Sequence, residues 1–289
     1  MTSPTLCIAV LAHNEARRIA ACLRSLPEGW PNCTIHVIVN GSTDDTAAIA
    51  RGLNMPNTFV HDYTQGGKSR SWNRFVFDTL ETFADVHVFV DGDAEVVAGS
   101  IEALTAALST NPHANLASAV PANGRHAARY AAQMLREGGV FGDLYAVRGS
   151  FLARMKAAGV RLPDDLIGDD GLIGALAKTD LASEDAWDDR RVAVCLGAGF
   201  LCEPTRLTSM YTLRGQYRRM INYSVRHFQN QIISHIMRGA GPTGLPSLLN
   251  TLYADWLPHF RPRRGTSWWF DREALKRMKN ATRGERGWR

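Results

Sequence analysis

The most informative segment of this chain is Val86-His87-Val88-Phe89-Val90-Asp91-Gly92-Asp93. Its opening residues form an apolar run of the length expected for a buried strand. Two carboxylates separated by one small residue follow, and such hard oxygen ligands suit Mg²⁺ or Mn²⁺, which complete their coordination with water and phosphate oxygens. Asp-Gly-Asp is also ordinary turn chemistry. Because ligands of open α/β sheets bind outside the carboxyl ends of the strands, the stretch favours a metal–diphosphate site there.

The chain around this stretch alternates strand and helix patterns over its first 120 residues, which is typical of a parallel sheet with crossover helices. Ser42 or Thr43 is the expected N-cap of the second helix. We predict strands over residues 6–11, 35–39, 58–61, 86–90, 116–120, 144–148 and 192–201. We predict helices over residues 19–26, about 43–53, 69–83, 100–108, 125–137, 169–177 and 205–238.

The composition predicts a soluble globular protein with a substantial core, since 45% of the 289 residues are hydrophobic and 21% are charged. The five cysteines lack Cys-x-x-Cys spacing, so we expect a reduced, cytoplasmic protein without zinc or disulfides. We find no secretory pattern and no run near 18 apolar residues, so we expect no membrane span. The positive charge is concentrated in residues 261–289, which contain ten Lys/Arg against three Asp/Glu.

Four polar clusters follow predicted strands or open the next helix. In a parallel sheet the carboxyl ends of successive strands lie on one edge, so we expect these clusters to converge on a binding site. Taken singly, each cluster is as well explained by capping, by a turn or by a solvated face. The clusters are Ala12 to Glu15, Asn40 to Asp45, Gly66 to Asn73 and Asp91 to Asp93.

Together these clusters resemble the motifs of the inverting, family-2 GT-A glycosyltransferases, which transfer a sugar from a nucleotide diphosphate sugar. The resemblance covers roughly residues 5–220 and implies a GT-A (Rossmann-like) α/β fold, with a mostly parallel sheet flanked by helices. It implies that Asp93, with Asp91, ligates Mg²⁺ or Mn²⁺. Asn40 stands where the family commonly has an Asp that reads the base, and an amide can still pair with a uracil edge. The UDP-sugar contacts implied in this half are Ala12, His13, Asn14, Glu15, Asn40, Ser42, Lys68, Arg70, Asp91 and Gly92.

The downstream half continues the resemblance. Arg148-Gly149-Ser150 resembles a small-residue loop on the acceptor and donor-sugar side. Residues 162–170 resemble the segment that ends in Glu-Asp, which makes Asp169 the counterpart of the Glu and Asp170 the counterpart of the catalytic base. Gln216-Tyr217-Arg218-Arg219-Met220 resembles Gln-x-x-Arg-Trp, and Met in the last place favours a single transfer over processive synthesis. The implied donor contacts are Gln216, Arg218 and Arg219, and His227 is a further candidate metal ligand.

The implied reaction suits these residue types. A carboxylate at Asp170 can act as general base on the acceptor hydroxyl, while a metal and Arg218 or Arg219 stabilise the leaving nucleoside diphosphate. A helix N-terminus and a solvated helix face are the simpler interpretations of Asp169-Asp170 and of the two arginines. Three alternatives stay open: a retaining GT-A transferase, a nucleotidyltransferase of related fold, and a catalytically silent nucleotide-sugar-binding or membrane-scaffold protein.

The C-terminal region adds a second hypothesis. We expect a catalytic domain over residues 1–222, with a nucleotide-binding half to residue 115 and an acceptor half from residue 116, and a helical basic region over residues 223–289. Tryptophans among basic residues, as in Trp268-Trp269, are typical of an anchor on an anionic membrane surface, which would suit a lipid-linked acceptor. The apolar stripe over residues 248–257 is equally expected in a helical appendage packed on the catalytic domain. We expect no nucleic-acid partner.

Overall fold

The computed structural model describes residues 3–203 and 210–283, without the side chains of residues 211 and 212. Within these residues, eight strands form one sheet in the order β3-β2-β1-β4-β7-β6-β8-β5. The strands are β1 (Leu6–Ala12), β2 (Cys33–Asn40), β3 (Thr58–Tyr63), β4 (Val86–Asp91), β5 (Glu95–Val96), β6 (Leu116–Pro121), β7 (Leu144–Arg148) and β8 (Val192–Leu201). The predicted strands are therefore all present, and β5 is an addition that the sequence pattern did not indicate.

Strand direction decides which residues meet at the edge of the sheet. β1, β2, β3 and β4 are mutually parallel, and β6 is parallel to β8. β7 runs antiparallel between β4 and β6, and β5 runs antiparallel to β8. The carboxyl ends of β1, β2 and β4 therefore share one edge with the beginning of β7, which we call the site edge. The expected α/β architecture is confirmed.

The helices cover both faces of the sheet. They are α1 (Ile19–Arg24), α2 (Thr46–Gly52), α3 (Lys68–Asn73), α4 (Ser100–Thr110), α5 (Ala127–Glu137), α6 (Gly149–Ala157), α7 (Asp169–Thr179), α8 (Met210–Arg238), α9 (Tyr253–Trp256) and α10 (Trp268–Thr282). A π-helical stretch, Arg74–Thr79, extends α3. No helix among the described residues is long and apolar enough to cross a membrane.

Two hydrophobic layers lie on opposite faces of the sheet, because successive side chains of a strand point to opposite sides. Ile8 and Val88 belong to the layer under α1, α2 and α4. Ala9 and Phe89 belong to the other layer, which also contains buried side chains of α7, α8 and α10. The expected boundary at residue 222 falls inside the continuous helix α8, and the C-terminal elements pack on the same layer as the sheet.

Several local expectations are wrong. The helix that follows β3 ends at Thr79 and not near residue 83, because Leu80 adopts an extended backbone. Helix α2 begins at Thr46, so neither Ser42 nor Thr43 is its N-cap. A helix, α6, begins at Gly149, where small residues favoured a loop. Of the two interpretations of the C-terminal stripe, the packed helical appendage is the one that the structure supports, since Leu249 and Tyr253 are fully buried.

Candidate active site

The loops that follow β1 and β2 are hydrogen-bonded to each other. The Nδ1 atom of His13 donates to the backbone oxygen of Asn40 at 2.6 Å, because a carbonyl can only accept. The backbone N–H of Asn14 donates to Ser42 Oγ at 2.9 Å, and the N–H of Thr43 donates to Asn14 Oδ1 at 2.8 Å. Asn14 adopts a left-handed backbone with φ of 57°, which Asn tolerates better than most residues. His13, Asn14 and Ser42 therefore build one polar floor at the site edge.

Glu15 lies where this floor meets the acidic triplet. Its backbone N–H donates to Thr46 Oγ1 at 2.8 Å, which fixes its position. Burial, with repulsion from Asp93 and Asp44, raises the pKa of Glu15 to about 8. A group with such a displaced pKa beside Asp93 is sensitive to any cation or diphosphate that enters the site.

Asn40 ties the third cluster to the second. Its Oδ1 atom accepts from the backbone N–H of Gly67 at 2.7 Å and from Ser71 Oγ at 2.9 Å. Since Oδ1 is already engaged, the Nδ2 group is the part of Asn40 that can address a ligand. Arg70 donates to the Gly66 carbonyl at 2.6 Å and pairs with Asp164 at 3.2 Å, so it supports the loop as it stands.

Gly92 and Ala12 let two strand ends approach closely. The N–H of Gly92 donates to the Leu11 carbonyl at 2.8 Å, and a Cβ at Gly92 would lie 2.7 Å from the Cβ of Ala12. Any side chain larger than hydrogen would push the triplet away from β1. Both residues therefore serve to place Asp91 and Asp93 rather than to offer a polar contact of their own side chains.

Three carboxylates meet at the site edge: those of Asp91, Asp93 and Asp143 each offer an oxygen within 4.8 Å of the others. Asp143 stands just before β7, and its carbonyl accepts from the N–H of Asp91 at 3.1 Å. Burial raises the pKa of Asp91 well above its ordinary value and also raises that of Asp143, and repulsion from neighbouring carboxylates, Asp93 among them, adds to both. A divalent cation would relieve this repulsion, and an all-oxygen donor set fits Mg²⁺ or Mn²⁺.

Lys68 connects the triplet to the second pair of acids. Its Nζ atom lies 2.6 Å from Asp91 Oδ1 and 3.5 Å from Asp169 Oδ1. Although burial disfavours its charged form, Asp169 and Asp91 raise the pKa of Lys68 well above its ordinary value. The ammonium group therefore stays charged and holds β4 and α7 together.

Asp169 and Asp170 begin α7, where the helix dipole favours negative charge. Asp169 is buried, and its Oδ2 has no hydrogen-bond partner among the residues that the structure describes. Asp170 is held by Arg226 of α8, with NH1 3.1 Å from Oδ1 and NH2 3.2 Å from Oδ2. A Cβ at Gly142 would lie 3.3 Å from Lys68 Nζ and 3.4 Å from the Cβ of Asp170, which places Asp170 beside the same lysine.

Two glycines make the space that Arg226 occupies. A Cβ at Gly168 would clash with the Nε atom of Arg226, and a Cβ at Gly171 would lie 2.8 Å from its NH2 atom. Gly168 also has a φ of 91°, which other residues rarely adopt. The first turn of α7 is therefore shaped to receive a guanidinium group from α8.

Helix α8 lies over the site edge. Arg219, Tyr223 and Arg226 fall on one face of it, since residues three and four apart share a face. The charge of Arg219 partly offsets the rise in the pKa of Glu15, and Asp143 is a charged neighbour of Tyr223. Gln216 is half-buried one turn earlier, whereas Arg218 is exposed.

His227 does not join the acidic group, so its prediction as a metal ligand is wrong. Its ring contacts Phe228, with ring centroids 5.3 Å apart, and its Nε2 atom approaches Gln231 at 3.2 Å. Burial and the charge of Arg263 lower the pKa of His227. On α8 it follows Arg226 by one residue, about 100° around the helix, and therefore turns toward the C-terminal region.

Arg148, Gly149 and Ser150 lie at the opposite edge of the sheet, so their predicted place beside the donor sugar is wrong. Arg148 pairs with Val86, the first residue of β4, because β7 is antiparallel to β4. Its guanidinium donates to the backbone oxygens of Leu108 at 2.7 Å and of Ala114 at 3.0 Å. The strand reversal brings Asp143 to the site edge in their place.

Sequence reasoning missed two residues of the site, Asp143 and Arg226. The signal for Asp143 was an acid at the start of a strand, which becomes informative only when the strand is known to be reversed. Arg226 carried a weaker signal, a cation ten residues after Gln216 on the same helix face.

Residues 7–160, more than half of the chain, match the model for glycosyl transferase family 2. The chain belongs to glycosyl transferase family 2. Over 88 residues it is 30% identical to protein RfbJ of Shigella flexneri, a match that covers 30% of this chain and 64% of RfbJ. The chain thus spans somewhat less than two thirds of that relative.

Solved structures of the GT-A type show the same fold. A mannosyltransferase from Pyrobaculum calidifontis, in complex with GDP-Man and Mn²⁺, has a TM-score of 0.60 at 19% identity, covering 98% of this chain and 76% of its own. Glucosyl-3-phosphoglycerate synthase from Mycobacterium tuberculosis, with Mn²⁺, UDP-Glc and phosphoglyceric acid, has a TM-score of 0.53 at 17% identity over 84% and 81% of the two chains. TarS of S. aureus, with UDP-GlcNAc, has a TM-score of 0.52 at 14% identity over 97% and 92%. The GT-A fold and the glycosyltransferase family that the motifs implied are confirmed.

Proposed function

We propose that this family-2 glycosyltransferase is metal-dependent and inverting, and moves one sugar from a UDP-sugar to an acceptor hydroxyl. The acceptor belongs to a cell-envelope, polysaccharide or lipid-linked class, and Asp170 is the base. Met220, in place of the aromatic platform of processive relatives, supports a single transfer. The free state of all five cysteines supports a reduced, cytoplasmic location.

The observation that carries this proposal is the position of Lys68 between two acidic groups. It contacts Asp91 of the metal-type cluster on one side and Asp169, the neighbour of Asp170, on the other. A donor diphosphate at the first group and an acceptor hydroxyl at the second would therefore lie side by side. This is the arrangement that direct displacement at an anomeric carbon requires.

Each residue then has a definite task. Asp170 accepts the proton of the acceptor hydroxyl as the bond to the anomeric carbon forms, and Arg226 keeps its carboxylate oriented. Arg219 and Lys68 stabilise the charge that develops on the departing nucleoside diphosphate. A divalent cation held by Asp91, Asp93 and Asp143 would supply Lewis-acid stabilisation of the same leaving group.

Similar proteins support a nucleotide-sugar donor but do not determine which nucleobase the donor carries. Among the structural neighbours, two are described with a UDP-sugar and one with GDP-Man, and two of these three contain Mn²⁺. In this chain the Nδ2 group of Asn40 can donate to a carbonyl oxygen of uracil. A thermal-shift screen of UDP-, GDP-, CDP- and dTDP-sugars with Mn²⁺ tests the donor, because the ligand that binds the native state best raises the melting temperature most.

The base is tested by Asp170→Asn beside Asp169→Asn. We expect Asp170→Asn to lower kcat by about 10²- to 10⁴-fold with little change in donor affinity. Greater damage from Asp169→Asn would transfer the role to that residue. Product analysis by NMR separates inversion from retention, since inversion yields the anomer opposite to that of the donor.

A further inference from the structure

Helix α8 begins with an exposed apolar stripe. Met210, Leu213 and Tyr217 are 67%, 37% and 45% exposed, and their spacing of three and four residues puts them on one face. Large apolar side chains in a row are unusual on the surface of a soluble domain, where they mark an interaction site more often than chance.

The first turn of α10 extends this stripe. Trp268 and Trp269 are 44% and 54% exposed. The Nε1–H of Trp269 donates to Tyr217 Oη at 3.4 Å, which joins the two helices. The guanidinium of Arg272 lies 4.7 Å from the ring centroid of Trp268. We call this surface the aromatic–basic patch; it consists of Met210, Leu213, Arg214, Tyr217, Arg218, Trp268, Trp269 and Arg272.

The charge on the patch is positive. Arg214, Arg218 and Arg272 are exposed, and residues 210–219 contain no acidic residue. Asp271 is the acid closest in sequence to the two tryptophans, but it is buried and its carboxylate pairs with Arg263 at 2.7 Å. Glu273, which follows Arg272, is half-buried, so the patch combines aromatic rings with three exposed arginines and no fully exposed acid over residues 210–219 and 268–273.

The patch and the site edge lie on one helix. Arg226, which holds Asp170, follows Tyr217 by nine residues, a rise of about 14 Å along α8. Nine residues are also about two and a half turns, so Tyr217 and Arg226 point to opposite sides of α8, and a surface bound at the patch would leave the site edge uncovered.

We propose that the aromatic–basic patch seats the enzyme on an anionic lipid surface, and that the acceptor is lipid-linked. The second clause rests on the proposed function. Tryptophan and tyrosine favour the membrane interface because one end of the side chain is apolar and the other is polar. Arginines beside them attract anionic head groups. The C-terminal stripe around Tyr253 is not part of this surface, because Tyr253 is buried.

The exposed Trp187 provides a matched control. It is 47% exposed, but its Nε1–H donates to Asp189 at 3.0 Å and Lys178 lies over its ring at 4.7 Å. Trp187 is therefore as exposed as the patch tryptophans, but it lies outside the patch between an acidic and a basic residue.

The test is co-sedimentation of the full chain with vesicles of phosphatidylcholine alone or with phosphatidylglycerol. We expect binding to the anionic vesicles that weakens as salt rises. We expect Arg214→Gln with Arg272→Gln to weaken it by about 30-fold, since each cation near the surface contributes about fivefold. Trp268→Ala with Trp269→Ala should weaken binding also at high salt, whereas Trp187→Ala should leave it unchanged.

Donor hydrolysis by the same variants separates this proposal from the proposed function. Retained hydrolysis with lost vesicle binding supports the patch as a membrane seat. Failure of the unaltered chain to bind anionic vesicles, or an equal loss with Trp187→Ala, overturns it. Sedimentation that shows a dimer dissociated by the Trp268→Ala/Trp269→Ala change would overturn it in favour of a second copy of the chain. An absence of hydrolysis with any nucleotide sugar, alongside intact vesicle binding, would overturn the proposed function and the lipid-linked acceptor but leave the membrane seat standing.

Discussion

The two terminal guanidinium nitrogens of Arg226 each contact one carboxylate oxygen of Asp170, at 3.1 Å and 3.2 Å. This two-point contact fixes the plane of the carboxylate as well as its position. It also joins α8, which lies over the site edge, to the first turn of α7. The orientation of the proposed base thus depends on a residue 56 positions away in the chain.

Arg226→Gln should lower kcat by about 10- to 100-fold with a small change in donor KM, because a misplaced base slows the chemical step more than binding. Arg226→Lys should recover only part of the activity, because lysine keeps the positive charge but lacks the second donor that orients the carboxylate. Steady-state kinetics with donor and acceptor measures both. Arg238→Gln, which removes an ion pair with Glu184 at the far end of α8, is the control. Equal losses in Arg226→Gln and Arg238→Gln would show a general effect of α8 and contradict this role.

Gly171→Ala should reproduce the Arg226→Gln defect without touching either charged residue. The new methyl group would lie 2.8 Å from the NH2 atom of Arg226, so the guanidinium would have to move. Gly215→Ala is the matched control, since no atom lies within 4 Å of its added Cβ, and it should stabilise α8 by about 0.5–1 kcal/mol. Thermal unfolding and kcat of the two variants provide the measurement. Normal turnover by Gly171→Ala would mean that the contact is not needed in catalysis.

Asp143→Asn should weaken metal binding at least tenfold, because one of three clustered carboxylates loses its charge. Titration calorimetry with Mn²⁺ checks this without reference to activity. Cys202→Ala is the control, because the Cys202 thiol donates to Asp143 Oδ1 at 3.1 Å but is not one of the three clustered ligands. Unchanged Mn²⁺ affinity in Asp143→Asn would remove this residue from the site and leave Asp91 and Asp93 as the proposed ligands.

His87→Leu should stabilise the protein, and more so in acid. His87 is fully buried, its ring nitrogens have no hydrogen-bond partner in the described part of the chain, and burial lowers its pKa to about 4. Between about pH 6.5 and 4 the unfolded chain binds the proton that the folded chain refuses, so this histidine costs stability as the pH falls. We expect a gain of about 1–2 kcal/mol at pH 7.

That gain should increase by up to about 1.4 kcal/mol for each pH unit below pH 6. Denaturant unfolding at pH 7, 6 and 5 measures it, and substitution of the exposed His113 by Asn should change nothing. A gain that stays constant over this range would contradict the linkage, and a loss of stability would mean that the ring makes a contact worth keeping.

The fold was largely predictable because its central strands are continuous apolar runs bounded by polar turns. Leu6–Ala12 and Val86–Asp91 were predicted to within one residue at each end. The helix that ends at Thr79 was extended too far, since residues up to Phe83 keep an apolar pattern although Leu80 is already extended. Periodicity records burial, and it does not record where the backbone leaves the helix.

The candidate site residues that the sequence indicates are polar clusters near the strand ends and the Asp169-Asp170 pair that begins α7. Asp91, Asp93 and Lys68 follow from local pattern, and the structure brings them together. The local pattern placed Arg148 in the site and left Asp143 out, because it does not show that β7 runs antiparallel to β4. Strand direction is a property of sheet assembly. Arg226 depends on how α8 packs across α7, which is a tertiary relationship.

The interlocked loops after β1 and β2 have a consequence for how a donor is captured. Asn14, Ser42 and Thr43 satisfy one another within the folded chain, and His13 is fixed on the Asn40 carbonyl. For the proposed donor this polar floor is a preorganised surface, and the loss of conformational entropy on binding would fall mainly on the nucleotide and its sugar. Removing one of these hydrogen bonds, as in Ser42→Ala, would therefore lower the affinity for all nucleotides to a similar extent and would not change the preference among them.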